Sequence, residues 1–138
     1  MSMKKIELNE KAYKIMIVDD VDVNRYSLKN VVEKMNQLPM LAENAEQALK
    51  ILEKVTPDLI ILDIYMPGMS GFEFCETIKN DRRYADIPVV FISGFDDPAD
   101  IKMTFKLGGE DYITKPFMPE EVVARVRPRL VLKQVLAQ

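Results

Sequence analysis

Read for apolar and polar positions alone, the chain alternates short hydrophobic runs with segments of helical period. The first run, Ile15 to Val18, ends at Asp19 and Asp20. From about Asp22 to Met35 the apolar residues Leu28, Val31, Val32 and Met35 recur at i, i+3, i+4 and i+7, which predicts a helix. A weaker run from Met40 to Ala42 has Pro39 at its start and suits an edge strand. Asn44, with Gln47 three residues on, predicts a capped helix through Ala48, Leu52 and Val55. Leu59 to Leu62 is continuously apolar, as a strand buried on both faces should be, and it ends at Asp63. The loop from Met66 to Gly71 then leads into a helix carrying Phe74 and Ile78. Pro88 to Ile92 predicts a fourth strand ending at Ser93, and Asp97-Pro98 predicts the cap and first residue of a helix that stops at Gly108-Gly109. Asp111 to Thr114 is the fifth strand, followed by Lys115-Pro116. The last helix opens at Pro119 with Glu120 and Glu121 at its positive end. Pro128 is expected to break or kink that helix near residues 124–127, because it removes a hydrogen bond to the carbonyl of Ala124.

Strand and helix therefore alternate along the whole chain, and the fold class is α/β: a doubly wound, parallel sheet in a three-layer arrangement. Composition narrows what such a fold does here. At 138 residues and 48% hydrophobic, the chain has the size of one ordinary domain and enough apolar mass for a core without a disulfide. A net charge of −3 argues against a general nucleic-acid surface. No apolar run reaches the ~18–20 residues that span a bilayer, and the N-terminal residues lack the apolar centre of a secretory signal, so no membrane contact is expected. The single cysteine, Cys75, reads as a small core residue and fits a reducing, cytoplasmic setting. Histidine is absent, which excludes Ser-His and Cys-His catalytic pairs and histidine-ligated zinc within the chain.

Four of the strands end in a polar residue on one side of the sheet: Asp19 and Asp20, Asp63, Ser93 and Lys115. Ligands of open α/β sheets bind at that rim, where strand order reverses. If the first and third strands are neighbours, three carboxylates converge. At ~5 Å and an effective dielectric of ~20, each charged pair repels by about 3 kcal/mol. Such a cluster calls for a cation or a raised pKa, and an all-oxygen set points to Mg²⁺. A lysine and a hydroxyl at the same rim suit phosphoryl oxygens, and an aspartate beside the metal suits attack on phosphorus. Taken singly, Asp19, Asp20 or Asp22 reads as a helix cap, Asp63 as a loop residue, Ser93 as structural and Lys115 as solvated. Their combination at successive strand ends carries the signal. Arg125, Arg127 and Arg129 read as a solvated face.

The segments IMIVDD, DLIILDIYMPGMSGFE, IPVVFISG and GGEDYITKPF together resemble the receiver domain of two-component response regulators, over roughly Lys14 to Leu130. The resemblance implies a flavodoxin-like sheet of order 2-1-3-4-5. It also implies that Asp63 is the phosphoacceptor, that Asp20 and Asp63 ligate Mg²⁺ directly, and that Asp19 does so through water. The backbone carbonyl of Tyr65 would complete the ligands. Ser93 would bind a phosphoryl oxygen and move with the phosphorylated state, Lys115 would pair with the phosphoryl group, and Tyr112 would be the aromatic switch residue. The Lys115-Pro116 peptide should be cis. The phosphodonor would be a sensor histidine kinase or a histidine phosphotransfer protein, and phosphorylation would change the surface of the fourth helix, fifth strand and fifth helix. Any homodimer is expected to use that face. Enzymatic chemistry would be limited to self-phosphorylation and autodephosphorylation. Tyr65 and Phe95, two residues after Asp63 and Ser93, hold the places that tune the lifetime of the acyl phosphate.

The expected organisation is a tail over 1–12, a receiver domain over 13–130, and an extension of the last helix or start of a linker over 131–138. The chain is either a stand-alone regulator or a receiver from a longer protein, and the apolar stretch Leu130 to Leu136 suits dimerisation or a linker. The main alternative is a receiver-like interaction scaffold that is never phosphorylated. A haloacid-dehalogenase-type phosphatase wants an acid two residues after its nucleophile, where this chain has Tyr65. A flavodoxin wants a neutral phosphate loop after the first strand, where this chain has Asp-Asp-Val-Asp.

Overall fold

The computed structural model describes residues 7–95 and 97–137. Ten elements alternate along the chain: β1 (Lys14–Val18), α1 (Asp22–Lys34), β2 (Leu38–Ala42), α2 (Ala45–Leu52), β3 (Leu59–Asp63), α3 (Gly71–Lys79), β4 (Val89–Ser93), α4 (Pro98–Lys106), β5 (Asp111–Thr114) and α5 (Pro119–Leu136). The strands are all parallel and lie in the order β2-β1-β3-β4-β5, as expected. The chain reverses direction across the sheet between β1 and β3, so the ends of those two strands open onto a crevice.

The period-two alternation of the strands splits the core in two. Ile15, Ile17, Leu59, Ile61, Val90, Ile92 and Ile113 face α1 and α5, meeting Leu28, Val32, Val122, Val126 and Leu130. Met16, Val18, Ile60, Leu62, Val89 and Phe91 face α2, α3 and α4, meeting Ala48, Leu52, Phe74, Cys75 and Ile78, with Ile101 and Leu107 packed alongside. Every residue of β3 and β4 is buried. Each large aliphatic side chain so placed contributes about 1.5–3 kcal/mol, which holds the polar strand ends rigidly in register.

The helix ends follow local chemistry. Asn44 accepts the Gln47 N–H at 2.7 Å, and Gln47 reaches back to the N–H of Glu43. Ser70 and Glu73 form a full capping box on α3. Asp97 caps α4, with Pro98 at its first residue. That helix closes as a Schellman turn: Gly108 has φ +94°, its N–H bonds Phe105, and the Gly109 N–H bonds Thr104. Helix α2 ends at Leu52 and not at Val55; the chain leaves it in a turn in which the Lys54 and Val55 N–H groups both bond the Ile51 carbonyl.

The expected break at Pro128 is absent: α5 is one helix with the proline inside it. Pro128 and Ala124 are both exposed, so the lost bond lies where water can satisfy the Ala124 carbonyl. Buried Val126 and Leu130 anchor the helix on either side. Gln134, buried near its end, donates from Nε2 to the Glu7 carbonyl at 3.0 Å and accepts the Asn9 N–H at 2.7 Å. The 130/131 boundary thus falls within a continuous helix that binds residues near the other end of the chain.

Candidate functional site

The register places the polar strand ends side by side. Val18 pairs with Leu62, Asp63 with Ile92, and Ser93 with Thr114, so Asp19, Asp63, Ser93 and Lys115 occupy one rim of the sheet. Asp19, Asp63 and Ser93 are buried, and Asp20 is half-buried. Asp19, Asp20 and Asp63 each offer an oxygen within 4.8 Å of the other two. Lys115 Nζ stands 2.9 Å from Asp19 Oδ2 and 3.4 Å from Asp63 Oδ2. The contact with Asp19 is close but poorly aligned as a hydrogen bond, so Asp19 Oδ2 is buried with charge nearby and no directed donor.

One lysine does not balance three carboxylates. Burial, and then the charge of Asp19, push the Asp63 carboxyl up to about 7, against the opposing pull of Lys115. The cluster also has little room to relax, because the loop after β3 is pressed against it. A Cβ on Gly71 would stand 2.1 Å from the carbonyl oxygen of Asp63, and the Gly71 N–H bonds Ile64 at 2.7 Å. Only glycine allows that approach. The Lys115-Pro116 peptide is cis.

None of the aspartates is the N-cap of α1. That residue is Val21, which has no side-chain cap, and its N–H bonds Asp19 Oδ1 at 2.9 Å. Ser93 Oγ accepts the Phe95 N–H at 3.3 Å. Tyr112 is buried, and its hydroxyl donates to the Phe95 carbonyl. Tyr65 and Phe95 pack edge to face with centroids 5.0 Å apart, and both are about half exposed. The Tyr65 hydroxyl donates to Asp100 on α4 at 2.5 Å, a bond that pushes the phenol up to about 12.

Other readings fare variously. Cys75 is buried, and burial pushes its thiol up to about 11. Arg125 and Arg129 are not merely solvated: they pair with Asp111 and Glu110, tying α5 to the start of β5. Arg25 was not legible as a site residue. Its only sequence signal is Asp22 three residues earlier, which suggests a surface pair, yet its side chain is buried against the backbone of Asp19.

The response regulator receiver domain family matches residues 15–127. The chain belongs to that family. Among curated relatives of this receiver domain, the transcriptional regulatory protein YvrH of Bacillus subtilis is 43% identical over 117 residues, covering 84% of this chain and 48% of the relative. The phosphate regulon transcriptional regulatory protein PhoB of Escherichia coli is 37% identical over 116 residues, covering 84% and 51%. The receiver domain spans about half the length of these relatives. Among solved structures, the signal receiver domain of a signal transduction histidine kinase from Syntrophus aciditrophicus superposes with a TM-score of 0.80 at 31% identity, covering 86% of this chain and 90% of that one. The domain is thus a signalling module of two-component systems. Among the described residues, no helix is long and apolar enough to cross a membrane.

Proposed function

We propose that this receiver domain takes a phosphoryl group onto Asp63 from a phosphohistidine of a partner kinase or phosphotransfer protein, in an Mg²⁺-dependent reaction. The observation that carries this reading is three carboxylates within 4.8 Å of one another, with one lysine at 2.9 and 3.4 Å from two of them. The donor set is all oxygen, and three carboxylates converge on a single lysine ammonium, which fits a hard divalent cation. Asp19, Asp20 and Asp63 would hold it, with the Tyr65 carbonyl as a further ligand. Bound there, Mg²⁺ supplies charge neutralisation for the incoming phosphoryl oxygens.

The residues of the chain divide the remaining work. An oxygen of Asp63 attacks phosphorus; the O–P bond forms as the donor P–N bond breaks, and the imidazole leaves with the bonding electrons. Lys115, already at the pocket, offsets the added negative charge. Ser93 donates its hydroxyl to a phosphoryl oxygen, giving up its present role as acceptor for the Phe95 N–H. That move alters the β4–α4 loop, which Tyr112 also grips through the Phe95 carbonyl. The readout surface is then α4, β5 and α5, which also serves any homodimer, and the same reading puts the domain in the cytoplasm. Residues 13–130 form the functional unit.

The test is direct. Acetyl phosphate with Mg²⁺ should add one phosphoryl group, seen by intact mass, and Asp63→Asn or EDTA should abolish the adduct. An unmodified wild-type protein would favour the non-phosphorylated scaffold, and an adduct that persists in Asp63→Asn would refute the acceptor assignment.

A further inference from the structure

The guanidinium of Arg25 sits beneath the acidic cluster, with its side chain only 4% exposed. Nη1 donates to the carbonyl oxygen of Asp19 at 2.8 Å. Nη2 pairs with Asp22, and Glu43 lies 3.8 Å away. Asp19 is thereby held at three of its four polar groups. Its N–H bonds the Ala42 carbonyl at 3.2 Å, its carbonyl takes the Arg25 proton, and Oδ1 takes the Val21 N–H. Only Oδ2 is left to face Lys115.

An ordinary ion pair does not account for this arrangement. Asp22 and Glu43 are 77% and 68% exposed, and pairs with such partners contribute little. Burying a guanidinium is costly unless its donors are used, and the donor aimed inward meets a neutral backbone carbonyl. A planar fork is also needed: one arm reaches the β1 end and the other the first turn of α1, which a lysine ammonium cannot span.

We propose that Arg25 is a positioning residue for the cation site, setting the turn that presents the carboxylates of Asp19 and Asp20. The inference rests on the Mg²⁺ reading above, and the sign of the expected effect separates it from simple electrostatics. Removing a positive charge beside a cation site should, by Coulomb attraction alone, tighten the metal. Loss of a group that orients ligands should instead weaken it, typically by about 10-fold or more.

Mg²⁺ affinity is to be measured by isothermal titration on the wild-type chain, Arg25→Met and Arg25→Lys, with folding of each checked by amide NMR in EDTA. Weakening of about 10-fold in both variants is the expected result, since lysine keeps the charge but loses the fork. Equal or tighter binding by folded Arg25→Met, or wild-type affinity in Arg25→Lys, overturns the inference while leaving the metal site intact. If Arg25→Met does not fold, Arg25→Lys decides alone. A wild-type chain that takes up no Mg²⁺ refutes the metal reading, and this inference with it.

Discussion

In the metal-free chain, burial and then the charge of Asp19 push the Asp63 carboxyl up to about 7, against about 4 for an exposed aspartate. Between about pH 4 and pH 7 the folded chain therefore binds one more proton than the unfolded chain, and stability falls as pH rises through that window. Asp63→Asn removes the cost of ionising this group. In EDTA at pH 7.5 the variant should be more stable than wild type by on the order of 1–2 kcal/mol, allowing for solvent screening at the pocket mouth. The gap should close toward pH 4, and Mg²⁺ should stabilise wild type more than the variant; thermal melts across pH give the answer. The proposed role of Tyr65 and Phe95 concerns a different property, the lifetime of the acyl phosphate. Their rings are packed on each other, and the Tyr65 hydroxyl is engaged by Asp100 on α4, so neither presents a free polar group to orient an attacking water. Self-dephosphorylation should be slow. Tyr65→Asn/Phe95→Glu should shorten the lifetime of the phosphorylated chain after donor removal, by about 10-fold, and unchanged decay would end the crowding argument.

At the scale of elements, α5 tests how much a proline costs when its surroundings compensate. Replacing Pro128 with alanine restores a hydrogen bond to Ala124 at an exposed position and should raise stability by about 1–3 kcal/mol, read from urea melts. A neutral or destabilising result would mean that α5 has adapted around the ring. The proline also shows where sequence reading errs. The positions of β1, β3 and β4 were legible because strands buried on both faces leave unbroken apolar runs, and the polar residue ending each run marked the rim. Propensity alone placed a break or kink at Pro128; the recurrence of Val122, Val126 and Leu130 at i, i+4 and i+8 across it is the local signal that the helix runs on. Gln134 and Arg25 were missed for a different reason. Each is a polar residue whose partner is a backbone carbonyl or amide brought close only by the fold, and such partners leave no mark in side-chain patterning.

Across the whole molecule, the acid pocket and the α4–β5–α5 surface are linked by contacts that share the β4–α4 loop: Ser93 to the Phe95 N–H, Tyr112 to the Phe95 carbonyl, and Tyr65 to the Phe95 ring and Asp100. Beryllofluoride with Mg²⁺, as a stand-in for the phosphoryl group, should draw the Ser93 hydroxyl away and shift the balance of a two-state loop. Amide shifts should then extend from Asp63 and Ser93 to α4, Tyr112 and the start of α5. Changes confined to the pocket rim would show that no such coupling exists.

The amide of Gln134 has a kinetic meaning as well as a structural one. It joins positions 125 residues apart, so it can form only after the intervening chain has been gathered in, and its formation must carry the entropy of closing nearly the whole sequence into a ring. Contacts of that separation are made late in folding. Once the sheet has assembled, however, most of that entropy has already been lost, and the two ends meet as near neighbours. Opening of the clasp is then expected to be a local event that frees residues 7–9, and with them the core contact of Leu8, at less cost than parting the strands.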